Sequence, residues 1–193
     1  RYSYKDLARR SRQMANALAE RGVQFAERIA TLAWNGYRHM ELYYAVSGSG
    51  AMLHTLNPRL HPDQVVWIAD HAEDQVLFFD LSFLPLVEAI AGRVKTIKAF
   101  VAMTDRAHMP VQSKVPNLLC YEELIAAASP DFVWPSFDEN TASPRCYTSG
   151  TTGNPKGVVH THATLIDRAQ AGATFDKLTA DEEVLAYLPP AWI

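Results

Sequence analysis

The stretch CYTSGTTGNPKGVVHTH, residues 146–162, decides how this chain is read. Small, hydroxylated and glycine residues fill positions 148–153 and lead through Asn154 and Pro155 to Lys156. Gly150 and Gly153 permit a positive φ and let backbone N–H groups approach an anion. Thr148, Ser149, Thr151 and Thr152 offer hydroxyl donors, and Lys156 adds a mobile positive charge whose approach Pro155 stiffens. These are the parts of a phosphate cradle. A flexible Ser/Thr/Gly linker is the plainer reading of such composition, but a linker needs neither the apolar strands PRCY and GVVH on either side nor a lysine set beside a proline.

The Walker A pattern G-x-x-x-x-G-K-[ST] fails here. Pro155 precedes the lysine and has no N–H for a phosphate, and Gly157 follows it where a magnesium-holding Ser or Thr is required. Val158 and Val159 then favour extended backbone, whereas a Walker A loop runs directly into a helix. Residues 149–157 are therefore expected to join two extended segments.

Working outward, helix and strand signals alternate. Ser3 followed by Asp6 is a capping-box pattern that opens a helix with Leu7, Met14, Ala15 and Leu18 on one face and Gly22 as its stop. Strands are expected at RIATLAW, AMLHTLN, QVLFFD and TIKAFVAM, and helices at YRHMELYYAVSGSG, HPDQVVWIADHA and SFLPLVEAIAG. Pro62 suits the first turn of its helix. This alternation predicts an α/β fold, with residues 28–103 forming a mostly parallel sheet flanked by helices. From 104 to 143 the regularity fades among Pro110, Pro116, Pro130 and Pro135, leaving one short helix at YEELIAAA in an irregular surface excursion. The chain thus divides into a first α/β unit at 1–103, the excursion at 104–143, and the loop with its following helix at 144–193.

Composition excludes several classes. At 48% hydrophobic and 20% charged residues the 193-residue chain reads as globular, and its net charge of −3 gives no pull toward nucleic acid. No apolar run approaches the length of a membrane span. The two cysteines, Cys120 and Cys146, lie far apart in no metal spacing, which fits a reduced, cytoplasmic setting. The chain starts without methionine, one turn ahead of a helix, and stops inside the apolar segment EVLAYLPPAWI, so it is expected to be a fragment of a longer polypeptide.

YTSGTTGNPKGVVHTHATL resembles the phosphate-loop signature of the adenylate-forming (AMP-binding) superfamily, which includes acyl-CoA synthetases, luciferases and peptide-synthetase adenylation domains. YSYKDLARRS and GSGAMLHTLNPRLHPDQV are similar to other family segments, while LAWNGYRHMELYYAV, NPRL and TDRAHMP resemble bacterial medium-chain fatty acyl-CoA ligases. The resemblance covers essentially the whole chain. It implies the N-terminal part of the large domain of such an enzyme. It also implies activation of a small-molecule carboxylic acid by ATP and Mg²⁺ through an acyl-adenylate, with coenzyme A as the thiol co-substrate. A full-length enzyme of this kind could form a homodimer. Thr148, Ser149, Gly150, Thr151, Thr152, Gly153, Asn154 and Lys156 are the implied nucleotide-binding residues. The motifs for adenine and ribose, the acidic magnesium residue and a distal lysine are expected beyond Ile193, which would leave the fragment inactive. Trp192 stands where the family often has a histidine beside the acyl pocket, and the ending YLPPAWI resembles long-chain synthetases instead.

Other residues have modest readings. His160 and His162 could face one side of a strand as metal ligands, but no third ligand is near, and a structural role is favoured, with His162 starting a helix. Cys146 lacks an adjacent base and reads as a buried strand thiol. Lys5, Arg9, Arg10 and Arg12 read as a solvated helix face. Trp34, Tyr37, Tyr43 and Tyr44 could line a pocket, with core packing as the default. Three functional classes remain: an acyl-CoA ligase segment, another nucleotide-binding module, and a noncatalytic relative of the same fold.

Overall fold

A computed structural model describes residues 2–148 and 154–183. The first helix, α1 (Tyr4–Glu20), begins at a reciprocal cap: the Ser3 hydroxyl accepts from the Asp6 amide, and the Asp6 carboxylate accepts from the Ser3 amide. There follow β1 (Arg28–Leu32), α2 (Tyr37–Gly48), β2 (Met52–Thr55), α3 (Pro62–Ala72), β3 (Asp74–Phe79), α4 (Leu84–Ile90) and β4 (Ala99–Ala102). Then come β5 (Leu118–Cys120), α5 (Tyr121–Ala127), β6 (Ala142–Thr148), β7 (Lys156–Thr161) and α6 (His162–Phe175).

The strands form one seven-stranded sheet in the order β5-β4-β3-β1-β2-β6-β7. Every neighbouring pair is parallel except β6 with β7. The expected mostly parallel α/β architecture is thus observed. Side-chain alternation along each strand supplies both faces with apolar residues. Phe78 faces Met14, Leu18, Leu42 and Tyr121 beneath α1, α2 and α5, while Leu77 and Phe79 face Ile68, Val87 and Ile90 beneath α3 and α4.

Two departures from the sequence reading have local causes. The strand expected to run to Trp34 ends at Leu32, because the Trp34 amide donates to the Asp80 carboxylate at 2.6 Å and leaves the ladder. Segment 104–143 also contributes more than an irregular surface path. Leu118–Cys120 pairs with β4 as an edge strand, and Tyr121, Leu124 and Ile125 enter the core. Three residues among prolines carry too little periodicity to be read as a strand. The same segment returns Trp134 across the end of α2, where a Cβ on Gly48 would sit 2.7 Å from the indole ring. Only glycine admits that contact.

The basic face of α1 also differs from its sequence reading, and Arg10 is the correction. Instead of facing solvent, it is mostly buried and bonds Glu41 at 2.6 Å and Glu122 at 2.9 Å. Glu41 is fully buried and also accepts from the Tyr121 hydroxyl at 2.7 Å, while Arg38 donates to Glu122 at 2.7 Å. One ionic cluster therefore ties α1, α2 and α5, built from residues more than thirty positions apart. Sequence proximity hid it because Asp6 and Glu20 offered nearer partners.

Burial raises the Glu122 carboxyl, but hydrogen bonds from Arg10 and Arg38 outweigh it and hold the group below its ordinary value of 4.5. A depressed folded value means this stabilisation is complete above about pH 4.5 and is lost as pH falls through the folded value. Urea midpoints measured between neutral and acidic pH should therefore converge for the wild type and Glu122→Gln as pH falls. Midpoints that stay a constant distance apart would contradict the cluster.

Candidate nucleotide-binding edge

Because the six strands from β5 to β6 run in parallel, their carboxyl ends share one edge of the sheet. Open α/β sheets bind ligands at that edge. The segment that resembles a phosphate loop lies between β6, which ends at Thr148 at that edge, and β7, which starts at Lys156 and returns antiparallel. Thr148 and Lys156 are direct cross-strand partners, and the Thr148 hydroxyl lies 3.5 Å from the Lys156 carbonyl oxygen. Thr148, Asn154 and Lys156 are all exposed, and Lys156 makes no ion pair among the described residues. Ser149, Gly150, Thr151, Thr152, Gly153 and Trp192 lie outside the described residues.

Lys156 begins a strand, as the valines after it require, and the next helix starts only at His162. The Thr161 hydroxyl caps that helix by accepting from the Thr164 amide at 3.2 Å. The geometry is a strand–loop–strand hairpin, which separates it from the strand–loop–helix of a Walker A site.

The hairpin has two unlike faces. Toward α3, Tyr147 packs on Gly157, its direct cross-strand partner, where an added Cβ would lie 3.2 Å from the phenol ring. Its hydroxyl is 2.6 Å from His71 Nδ1 on α3. Burial raises the Tyr147 phenol above its ordinary value, so its hydroxyl keeps its proton and donates to the Nδ1-unprotonated tautomer of His71. Behind it lies His54, fully buried, with Nδ1 donating to the Asp74 carboxylate at 2.7 Å. None of Tyr147, His71 or His54 was singled out in the sequence; aromatic and imidazole side chains far apart in the chain carry no spacing signal.

The other face borders a cavity of about 980 Å³ lined by Tyr37, Tyr43, Thr55, Cys146, His160 and Arg168, among others. Core packing was the expected default for the α2 aromatics; it holds for Tyr43, which packs against the core, and not for Tyr37 and Tyr44. Tyr37 is 41% exposed beneath the Arg38 guanidinium, Tyr44 is 54% exposed, and Tyr43 lines the cavity. Trp34 instead lies just past the end of β1, tilted against the Phe83 ring and bonded through its indole N–H to Ser82. His162 packs on the Phe137 ring with centroids 5.1 Å apart.

The turn from β1 into α2 is held by a neutral imidazole. Burial pushes His39 down to about 4. Its Nδ1 donates to the Trp34 carbonyl at 3.1 Å and its Nε2 accepts from the Thr31 hydroxyl at 3.0 Å. Asp80, at the end of β3, is raised by burial against the opposing pull of the Trp34 amide and Arg38. Among the described residues no three His, Cys, Asp or Glu side chains converge as a metal site. No described helix is long and apolar enough to cross a membrane.

The model of the AMP-binding enzyme family matches residues 1–193. The chain belongs to this family. It is 48% identical over 191 residues to a 3-methylmercaptopropionyl-CoA ligase of Ruegeria lacuscaerulensis, covering 98% of this chain and 35% of that protein. It is 42% identical over 191 residues to a medium-chain-fatty-acid–CoA ligase of Ectopseudomonas oleovorans, with the same coverage of 98% and 35%. The fold matches apo MatB from Rhodopseudomonas palustris with a TM-score of 0.78 at 23% identity, covering 98% of this chain and 35% of that one. This AMP-binding chain therefore spans about a third of the length of the relatives it matches.

The half-buried state of Cys146 bears on whether it could act as a nucleophile. Burial raises its thiol above the ordinary value, and no base lies in hydrogen-bond contact with it among the described residues. At pH 7 iodoacetamide should therefore alkylate native Cys146 far more slowly than a free model thiol, with mass spectrometry as the readout. Labelling as fast as the model thiol would restore a nucleophilic role.

Proposed function

We propose that this chain is the nucleotide-phosphate-binding part of an AMP-forming acid–thiol ligase, acting on a fatty or related carboxylic acid. The observation that carries the reading is the hairpin at the carboxyl edge, with Thr148 and Lys156 paired across it and exposed. The family membership and the CoA-ligase names of the relatives support it.

A carboxylate is a poor electrophile, since its charge repels nucleophiles and oxide is a poor leaving group. Attack of a carboxylate oxygen on the α-phosphorus of ATP forms the P–O bond of an acyl-adenylate and breaks the bond to pyrophosphate. The thiol sulfur of coenzyme A then bonds the acyl carbon, and AMP leaves with the former carboxylate oxygen. In this scheme Lys156 and the hydroxyls of Thr148, Ser149, Thr151 and Thr152 hold the β- and γ-phosphates. Gly150, Gly153 and Asn154 supply backbone approach and a polar contact. Donors that stand ready before charge builds on the departing pyrophosphate lower the barrier to its loss. Mg²⁺ would supply further positive charge at these phosphates as pyrophosphate departs.

In a polypeptide of the relatives' full length carrying this segment, Lys156→Ala removes the charge, and Thr151→Val removes a hydroxyl at nearly constant volume. Each should slow adenylation by on the order of 10²-fold, the scale for losing one preorganised donor. Thioester formation from synthetic acyl-adenylate and coenzyme A should change far less, because no pyrophosphate takes part. Equal losses in both half-reactions, without unfolding, would mean that the loop does not handle phosphate. The 193-residue chain alone should support no carboxylate-dependent exchange of labelled pyrophosphate into ATP, and robust exchange would overturn the view that essential groups lie elsewhere in the polypeptide.

A further inference from the structure

We propose that Tyr147 and His71 form a latch that positions Thr148 and Lys156 for phosphate binding by fastening the base of the β6–β7 hairpin to α3. This assignment rests on the phosphate-binding reading and adds two positioning residues to it. Among the described residues, every residue of α6, the helix that follows β7, is partly or fully exposed.

The latch is built from four restraints on one ring. The Tyr147 hydroxyl bonds His71 Nδ1 at 2.6 Å. The His71 imidazole is itself stacked on Trp67, with centroids 4.6 Å apart and planes 18° from parallel, so the acceptor is held in orientation on α3. The Trp67 edge meets the phenol ring at 6.4 Å, and the buried His54 ring meets it at 5.2 Å. On the strand side, the ring lies against Gly157, the residue directly after Lys156, at a distance that leaves no room for a Cβ without displacing it. Tyr147 also directly precedes Thr148. A rotation or shift of the phenol therefore moves both strands of the hairpin at the two residues that flank the phosphate-loop segment. Two residues earlier on the same strand, the Arg145 guanidinium donates to the Ala72 carbonyl at the end of α3, which anchors β6 to the same helix at a second point.

A ring that merely fills space would contribute stability but leave phosphate affinity unchanged. The latch makes a different demand: the hydroxyl matters because it sets where Thr148 and Lys156 stand. Tyr147 and His71 are assigned as positioning residues, acting through Thr148 and Lys156.

The test uses a ¹⁵N-labelled polypeptide of the relatives' full length that carries this segment, with inorganic tripolyphosphate and Mg²⁺ as the probe. Affinity is read from the shifts of the Lys156 and Gly157 amides, and urea midpoints are recorded for every variant. Tyr147→Phe and His71→Ala should each weaken tripolyphosphate binding about fivefold, the equivalent of one lost hydrogen bond. His71→Asn, whose amide oxygen can take the place of Nδ1, should restore most of that affinity although it lacks the stack on Trp67. If Tyr147→Phe fails to fold, the His71 pair of variants decides alone. A lowered urea midpoint with unchanged affinity would reduce the latch to packing and overturn it. Loss of affinity in Lys156→Ala but not in Tyr147→Phe or His71→Ala would overturn the latch and leave the phosphate reading standing. Absence of any tripolyphosphate-dependent shift in the unaltered chain would overturn both.

Discussion

The parallel pairing of β6 with β2 is the constraint on which the candidate site depends. Leu53, His54 and Thr55 stand opposite Pro144, Arg145 and Cys146, residues about ninety positions later in the chain. Closing so long a loop costs conformational entropy that only a well-matched strand pair and its flanking side chains can offset. Once it is made, the phosphate-loop segment is delivered to the same edge of the sheet as the ends of β1, β2 and β3. Without it, residues 146–162 would be a hairpin with no sheet to stand on, and an isolated hairpin is marginal in water.

The same pairing gives β6 its two functional faces. Strand alternation turns Arg145 and Tyr147 toward α3 and leaves Cys146 at the border of the cavity beside α2. On the α3 side the contacts are polar and directed, running through Ala72, His71 and the buried His54–Asp74 pair. On the cavity side they are few, and the aromatic residues of α2 remain partly exposed. The hairpin is therefore held from one side, which makes the α3 contacts the ones that set its position.

A second long-range device, the Arg10, Glu41, Glu122 and Arg38 cluster, closes the opposite face of the sheet. Burying such charges is costly unless each is paired and hydrogen-bonded. Here Glu41 is satisfied by Arg10 and by two tyrosine hydroxyls, those of Tyr2 and Tyr121. The cluster joins α1 to α5 and so draws the segment after β4 into the core, where Tyr121 packs on Phe78. Segment 104–143 thereby serves as both connection and structure, with β5 extending the sheet at its far edge.

The sequence by itself determined the alternation of elements, the parallel sheet, the cap at Ser3, the first helical turn at Pro62, and the extended backbone that follows Lys156. Each of these follows from spacing or local backbone chemistry: a period of two or near four, a proline without an N–H, valines after the lysine. It also identified Thr148, Asn154 and Lys156 as candidate phosphate-binding residues, which the fold carries to its carboxyl edge. Only the tertiary structure decided that Arg10 is an internal cation, that Leu118–Cys120 is a strand, and that Tyr147 meets His71. These depend on residues between eighteen and more than a hundred positions apart. A linear pattern records which side chains repeat along an element, but not which element will lie beside it.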